Sequence, residues 1–253
     1  MTDLPDPIPA ATLILMKEVA EGPPHVLFME RAATMAFAAG ALVFPGGRVE
    51  GDDHLLAQRF GEGRDHAAAR IAALRETLEE TGVAVGLRGP AGTPDKNAEV
   101  REALQGGALL SQAMERFGLA LDLDALTPFA RWCPNFKETR RFDTLFFLAQ
   151  APEGAEAASA DRNEAVRAFW APAQKVLDDA DGGRAHIIFP TRRNLERLAR
   201  FASLVEARAD ARRHAVQKVT PWIEERDGRP FLCIPDDIGY PVTAEPLETA
   251  RRG

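Results

Sequence analysis

Apolar positions gather in short runs at the start of the chain. ATLILMKEV at 11–19 and HVLFMER at 25–31 are rich in branched and aromatic residues, and the turn residues around Glu21 to Pro24 between them predict a strand hairpin. ALVF at 41–44 predicts a third strand that Pro45 ends, with Gly46 and Gly47 opening a loop. Residues 48–64 are polar and glycine-dotted. The segment after them, DHAAARIAALRETLEETG, predicts a helix with Asp65 as its N-cap and Gly82 as its stop. Shorter helical patterns follow a glycine- and proline-rich stretch, at 98–104 and 109–117, and strands are expected at 127–132, 140–149 and 165–170. Beyond Pro190, apolar Leu195, Leu198, Phe201, Ala202 and Val205 predict one amphipathic helix of several turns whose arginines form a solvated face. No period places the tail from 218 to 240. Separated strands with helices between them, and no internal repeat, predict an α+β or α/β sandwich.

Composition leaves this picture intact and narrows the function. With 45% hydrophobic and 27% charged residues, the 253-residue chain has ordinary globular usage and enough length for a core. A formal charge of −7 supplies no basic field for DNA, RNA or an acidic membrane, so nucleic-acid and membrane partners are not expected. A phosphorylated small molecule remains open to it, because bound cations and local arginines reverse the sign inside a site. Cys133 and Cys233 show no metal-ligand spacing and read as free thiols of a reducing compartment. The acidic, proline-rich start is unlike a signal peptide, and no stretch of about 18 apolar residues suggests a membrane span, so a cytoplasmic location is the expectation. The histidines lack HExxH or triad spacing, which leaves zinc-hydrolase and serine-type chemistry without support.

The candidate chemistry lies on the 65–82 helix. At about 100° per residue, Ala67, Ile71, Leu74 and Leu78 share one apolar stripe, while Glu76, Glu79 and Glu80 fall on a single arc about 100° wide. Such an acidic cluster is ordinarily a solvated face. Like charges at these spacings destabilise a helix by about 0.2–0.5 kcal/mol per pair, and acids at its C-terminal end also oppose the dipole. A hard divalent cation, Mg2+ or Mn2+, would turn that penalty into binding energy.

The string Arg75-Glu76-Thr77-Leu78-Glu79-Glu80-Thr81-Gly82-Val83, with Phe44-Pro45-Gly46-Gly47 and Val49-Glu50 upstream, resembles the Nudix box, whose usual form is G, five residues, E, seven residues, then REUxEExGU. The resemblance implies an α/β fold, a Nudix-type α/β/α sandwich with a mixed sheet, a helical insertion and a C-terminal helical extension. It also implies hydrolysis of a diphosphate linkage in a nucleoside diphosphate derivative. By position in the motif, Glu79 and Glu80 would be metal ligands, Glu76 a ligand or water-activating base, Arg75 the residue that orients them, and Gly47 a backbone carbonyl ligand. The pattern departs from the family at two places. Asp53 stands where Glu is expected, with 21 rather than seven residues between it and Arg75, and counting back from Arg75 puts Ala67 at that position. Thr77 replaces an aliphatic residue. The long insertion looks like the Nudix subgroup that includes peroxisomal coenzyme A diphosphatases, which makes coenzyme A or acyl-coenzyme A the first substrate expectation, ahead of ADP-ribose, NADH and dinucleoside polyphosphates.

Further site candidates come from position. Arg140 and Arg141, ahead of the aromatic strand, suit phosphate oxygens, the alternative being that one faces solvent and the other pairs with Asp143. Arg31 after the second strand and Phe142 are candidates for substrate binding, as are Trp132 and Phe136 for stacking or core packing. Glu164 is a candidate for an additional metal-binding or basic acid. The expected organisation is a Nudix domain over 8–215, with insertions at 51–65 and 96–120, and an extension over 216–253 packed on it; a homodimer is kept open. The rival reading is a catalytically silent Nudix domain that binds a nucleotide or a protein, a role that would not require Arg75, Glu76, Glu79 and Glu80 together.

Overall fold

The computed structural model describes residues 6–34, 38–61, 66–89, 94–135, 141–161 and 165–250, with 94–96 in backbone only. Strands β1 (Ile8–Lys17) and β2 (His25–Arg31) form the expected hairpin, meeting at Met16 opposite Val26 and Lys17 opposite His25. They then part. β2 takes β3 (Leu42–Val43) as its partner, and the first half of β1 takes β4 (Gly46–Arg48), Ala10 opposite Arg48 and Thr12 opposite Gly46. The loop expected at the glycine pair is therefore a strand. Proline ends β3 but not the sheet, because a Cβ on Gly46 would lie 2.3 Å from the Ala11 carbonyl oxygen and only glycine lets the two backbones approach.

From 51 to 60 the polar stretch that follows is helical. It forms α1 (Gly51–Ala57), where the Asp53 carboxylate accepts the Glu50 backbone N–H at 2.9 Å and caps the first turn. α2 (Ala67–Thr81) ends as expected at Gly82, whose φ of 75° returns its N–H to Leu78; at its start the N-cap position is held by His66 and not by the expected Asp65, which lies outside the described residues. Next come β5 (Leu87–Arg88), α3 (Pro94–Gln105), α4 (Leu110–Phe117) and β6 (Ala120–Leu121), which pairs with β5. β7 (Thr127–Trp132), β8 (Phe142–Gln150) and β9 (Ala165–Pro172) complete the central strands predicted from their branched and aromatic runs.

The main sheet is mixed and runs β7-β8-β1-β2-β3, with β8 parallel to β1 from Ile8 opposite Phe142 to Met16 opposite Gln150, and β9 antiparallel to β2. Helices cover both faces, giving an α/β/α sandwich. Ala11, Leu13 and Leu15 of β1 pack with Ile71, Leu74 and Leu78 of α2 in one core, and Ile14 and Met16 pack in the other. A strand buried on both sides explains the continuous apolar run at 13–16.

The second core is closed by α5 (Ala173–Asp181), α6 (Phe189–Leu198) and α7 (Leu204–Arg213). The single helix expected beyond Pro190 is thus two. Ser203 leaves the helical conformation and its side chain accepts the Glu206 N–H, so Leu204 turns inward and Val205 is 76% exposed. Nor do all its arginines face solvent. Arg193 and Arg197 are fully buried, Arg193 between Glu196 and Glu245, Arg197 between Asp210 and the Phe129 carbonyl. The period located their stripe without registering that the tail wraps over it. That tail forms β10 (Lys218–Val219), parallel to the edge of β7, then β11 (Trp222–Arg226), β12 (Arg229–Cys233) and β13 (Ala244–Pro246) as a small antiparallel sheet, and α8 (Leu247–Ala250). Among the described residues, no helix is long and apolar enough to cross a membrane.

Candidate active site

β1 and β2 part beyond their short pairing, β4 lies along the first half of β1, and the Gly46–Gly47 backbone there meets the last two turns of α2. The Gly46 N–H donates to Glu80 Oε2 at 2.8 Å. A Cβ on Gly47 would stand 2.2 Å from Glu76 Oε1, so the carboxylate of Glu76 occupies space that only glycine leaves. Two predicted acids are therefore fixed against the strand by backbone contact. Glu79, one turn on, has a quarter of its side chain exposed, and Glu80 is buried.

Arg75 ties the cluster together. It is 6% exposed, and its Nη1 donates to Glu76 Oε1 at 2.9 Å and to Glu79 Oε1 at 3.4 Å. Its other edge faces Asp53, with Nε to Oδ1 at 3.2 Å and Nη2 to Oδ2 at 2.9 Å, and Nη2 also donates to the Arg48 carbonyl at 2.9 Å. Burial opposes the Arg75 charge, but the hydrogen bonds of Asp53 and the charges of Glu76, Asp53 and Glu79 outweigh it and hold its pKa above the usual value. Asp53, completely buried, is thus the arginine's partner, and the residue six places after Gly47 occupies a definite place despite the long segment that follows it. Ala67 belongs to the apolar face. The other departure is also local: buried Thr77 returns its hydroxyl to the Ala73 carbonyl at 2.7 Å, so its polar atom is satisfied inside the helix.

Burial raises the pKa of Glu79; Arg75 pulls it back, and Glu50 and Asp53 push it up. Glu50, part of the string that carries the resemblance but given no role there, is a further acid beside the cluster. The donors on offer are carboxylate and carbonyl oxygens, a hard set suited to magnesium or manganese. Among the described residues, no group of three or more His, Cys, Asp and Glu already stands at metal-holding geometry, since Glu76 and Glu79 are drawn onto Arg75.

The other candidates divide. Arg140, Phe136 and Glu164 lie outside the described residues. Arg141 directly precedes β8; its Nη2 points at Cys133 Sγ at 3.5 Å and its Nε is buried with no hydrogen-bond partner among the described residues. Asp143 is not its partner but that of Arg131, in a two-pronged pair at 2.7 Å. Phe142 is half-buried beneath the Arg48 guanidinium, 6.0 Å from its ring centre. Arg31 ends β2 where the register with β9 slips, opposite Ala165. Trp132 is core, its indole N–H donating to Tyr240 Oη at 2.8 Å.

Residues without any signal in sequence hold the far end of α2. Arg101 of α3 donates from Nε to the Glu79 carbonyl and from Nη2 to the Glu80 carbonyl, both at 2.9 Å, and Gln105 Nε2 donates to the Glu79 carbonyl at 2.9 Å. These are carbonyls that a helix end leaves unpaired.

No family model matches the chain. It is 25% identical over 279 aligned residues to acyl-coenzyme A diphosphatase NUDT19 of Gallus gallus, spanning 86% of this chain and 73% of that protein. The same enzyme of Xenopus laevis is 24% identical over 274 residues, 86% of this chain and 71% of its own. Among solved structures, a Nudix hydrolase from Alicyclobacillus acidocaldarius is 31% identical and superposes with a TM-score of 0.71 over 82% of this chain and 97% of its own.

Proposed function

Since the chain belongs to the Nudix hydrolases, enzymes that open phosphorus anhydrides, we propose that it is a divalent-metal-dependent diphosphatase acting on coenzyme A or acyl-coenzyme A. The observation that carries this reading is the cluster in which Arg75 binds Glu76, Glu79 and Asp53 while Glu76 and Glu80 rest on the Gly46–Gly47 backbone. In it, Glu76, Glu79, Glu80 and the Gly47 carbonyl would hold Mg2+ or Mn2+, with Glu164 as a further ligand. The bound cations would supply Lewis acidity, charge for the developing phosphate oxyanions and an activated water. Arg75 keeps two carboxylates at fixed spacing and, through Asp53, is itself fixed. Glu76 is assigned the proton of the attacking water. Arg141, with Arg140 and Arg31, would meet the diphosphate oxygens, for which a guanidinium fork is suited, and Phe142 would lie beside the leaving portion. The coenzyme A assignment is supported by the names of the two diphosphatase relatives.

The test is a panel of coenzyme A, acyl-coenzyme A, ADP-ribose, NADH and dinucleoside polyphosphates, with Mg2+ or Mn2+ and products identified by mass. Cleavage of the coenzyme A diphosphate is expected to lead the panel. Glu79→Gln and Glu80→Gln are each expected to lower kcat by at least about a hundredfold with the circular dichroism spectrum retained. Near-normal turnover in both variants would remove the site assignment, and turnover confined to another substrate would remove the coenzyme A assignment.

A further inference from the structure

We propose that the α3–α4 pair braces the carboxylate cluster from two sides, and that Arg101 is a positioning residue that sets Glu79 and Glu80 through their backbone. The proposal rests on the reading of those two acids as metal ligands. The first anchor is at the end of α2. One guanidinium reaches four acceptors on two segments: the Glu79 and Glu80 carbonyls at 2.9 Å, Ser159 Oγ at 2.9 Å and the Ser159 carbonyl at 2.8 Å. Gln105, one turn further along α3, adds a second donor to the Glu79 carbonyl. The 159–161 segment is tied to the same helix end, since the Ser159 N–H donates to the Thr81 carbonyl at 3.0 Å and the Asp161 N–H to the Glu80 carbonyl at 2.8 Å.

The second anchor is on α1. Asp52, 8% exposed, accepts the Ser111 N–H at 2.9 Å and the Ser111 hydroxyl at 2.6 Å, so α4 fixes the residue next to Asp53, which in turn fixes Arg75. The two routes meet at Glu79, whose backbone carbonyl takes Arg101 and whose carboxylate takes Arg75. The helix end needs this support. Its last carbonyls carry partial negative charge, and Glu79 and Glu80 add full charges at the same place. A guanidinium on those carbonyls relieves that repulsion and sets the rotation of the last turn, and with it the direction in which both side chains leave the helix. A metal site tolerates little error in that direction, and partners of ligands commonly matter as much as tens of fold in affinity.

The experiment compares Arg101→Gln, Arg101→Lys, Gln105→Ala and, on the exposed face of α3, Glu102→Gln. Mn2+ binding is read without substrate from the electron paramagnetic resonance signal of the free ion, kcat and KM on the leading substrate, and Tm in EDTA. Arg101→Gln is expected to weaken Mn2+ binding and lower kcat by about tenfold each, with KM within about twofold. Arg101→Lys, which keeps the charge and loses the fork, should regain part of both, and Glu102→Gln should match the parent chain. If Arg101→Gln does not fold, Gln105→Ala removes a single bond to Glu79 and is expected to change Mn2+ binding and kcat in the same direction, less strongly. Unchanged Mn2+ binding and kcat in whichever of these two variants is folded, or a fall in Tm alone, overturns the proposal. Failure of the underlying reading is distinct, because the parent chain would then itself bind no Mn2+.

Discussion

Asp53 has no exposed surface, and both its oxygens are engaged by Arg75, one of them also by the Glu50 N–H. Asp53→Ala would leave the guanidinium buried with only part of its charge answered, by Glu76 and Glu79. Breaking a buried pair from one side typically costs about 3–5 kcal/mol, and those remaining partners put this case near about 3 kcal/mol. The expected outcome is a lower urea midpoint at unchanged slope, together with reduced turnover; a midpoint equal to that of the parent chain would mean that the pair is not what fixes Arg75. Residues of this kind differ in how far sequence discloses them. Glu76, Glu79 and Glu80 stand out because the helical period puts them on one arc and the string from Arg75 to Val83, with the glycine pair upstream, sets them apart from an ordinary solvated face. Asp53 was visible only as the sixth residue after Gly47, and its partner lies beyond a helix and a long connection that no local pattern measures. Arg101 and Gln105 look like any polar face, because what they hold is backbone, and backbone carries no residue code.

Elements follow the same division. α2 was legible at its C-terminal end because the glycine stop and the apolar stripe are local, and β8 because its aromatic run needs no partner to be recognised. β4 was not, since its glycines signal a break unless β1 is known to lie against them. The split between α6 and α7 was hidden by apolar residues that continue through it, and the burial of Arg193 by its partners, of which Glu245 lies in the tail. That burial has a pH consequence on α6. Desolvation raises the Glu196 pKa from 4.5 to about 7, against the pull of Arg193 and Arg192. Between those values the folded chain keeps a proton that the unfolded chain has released, so stability falls as pH rises from about 4.5 to about 7 and the contribution is level on either side. Glu196→Gln is expected to reduce this fall. Urea midpoints at pH 5 and pH 8 that differ as much in the variant as in the parent chain would assign the dependence to other groups.

At the scale of the molecule, the residues after α7 are part of the core. Tyr240 adds a tie between β7 and α6: its hydroxyl accepts from the Trp132 indole and donates to Asn194 Oδ1, both at 2.8 Å, and all three side chains are buried. Tyr240→Phe removes only that oxygen and leaves a donor and an acceptor without it, a loss of about 1–3 kcal/mol; calorimetry should show a lower Tm, and an unchanged Tm would deny the tail this anchoring role. β10 adds a further tie, pairing Lys218 and Val219 with Arg131 and Trp132 of β7, while the Cys133 N–H donates to the Val219 carbonyl at 2.9 Å. A ribosome delivers those two residues long after β7, β8 and β1. Throughout that interval the nascent sheet shows a bare strand rim, the kind of surface on which neighbouring chains zip together. Synthesis of this protein therefore has a vulnerable window that closes only when Lys218 and Val219 have emerged.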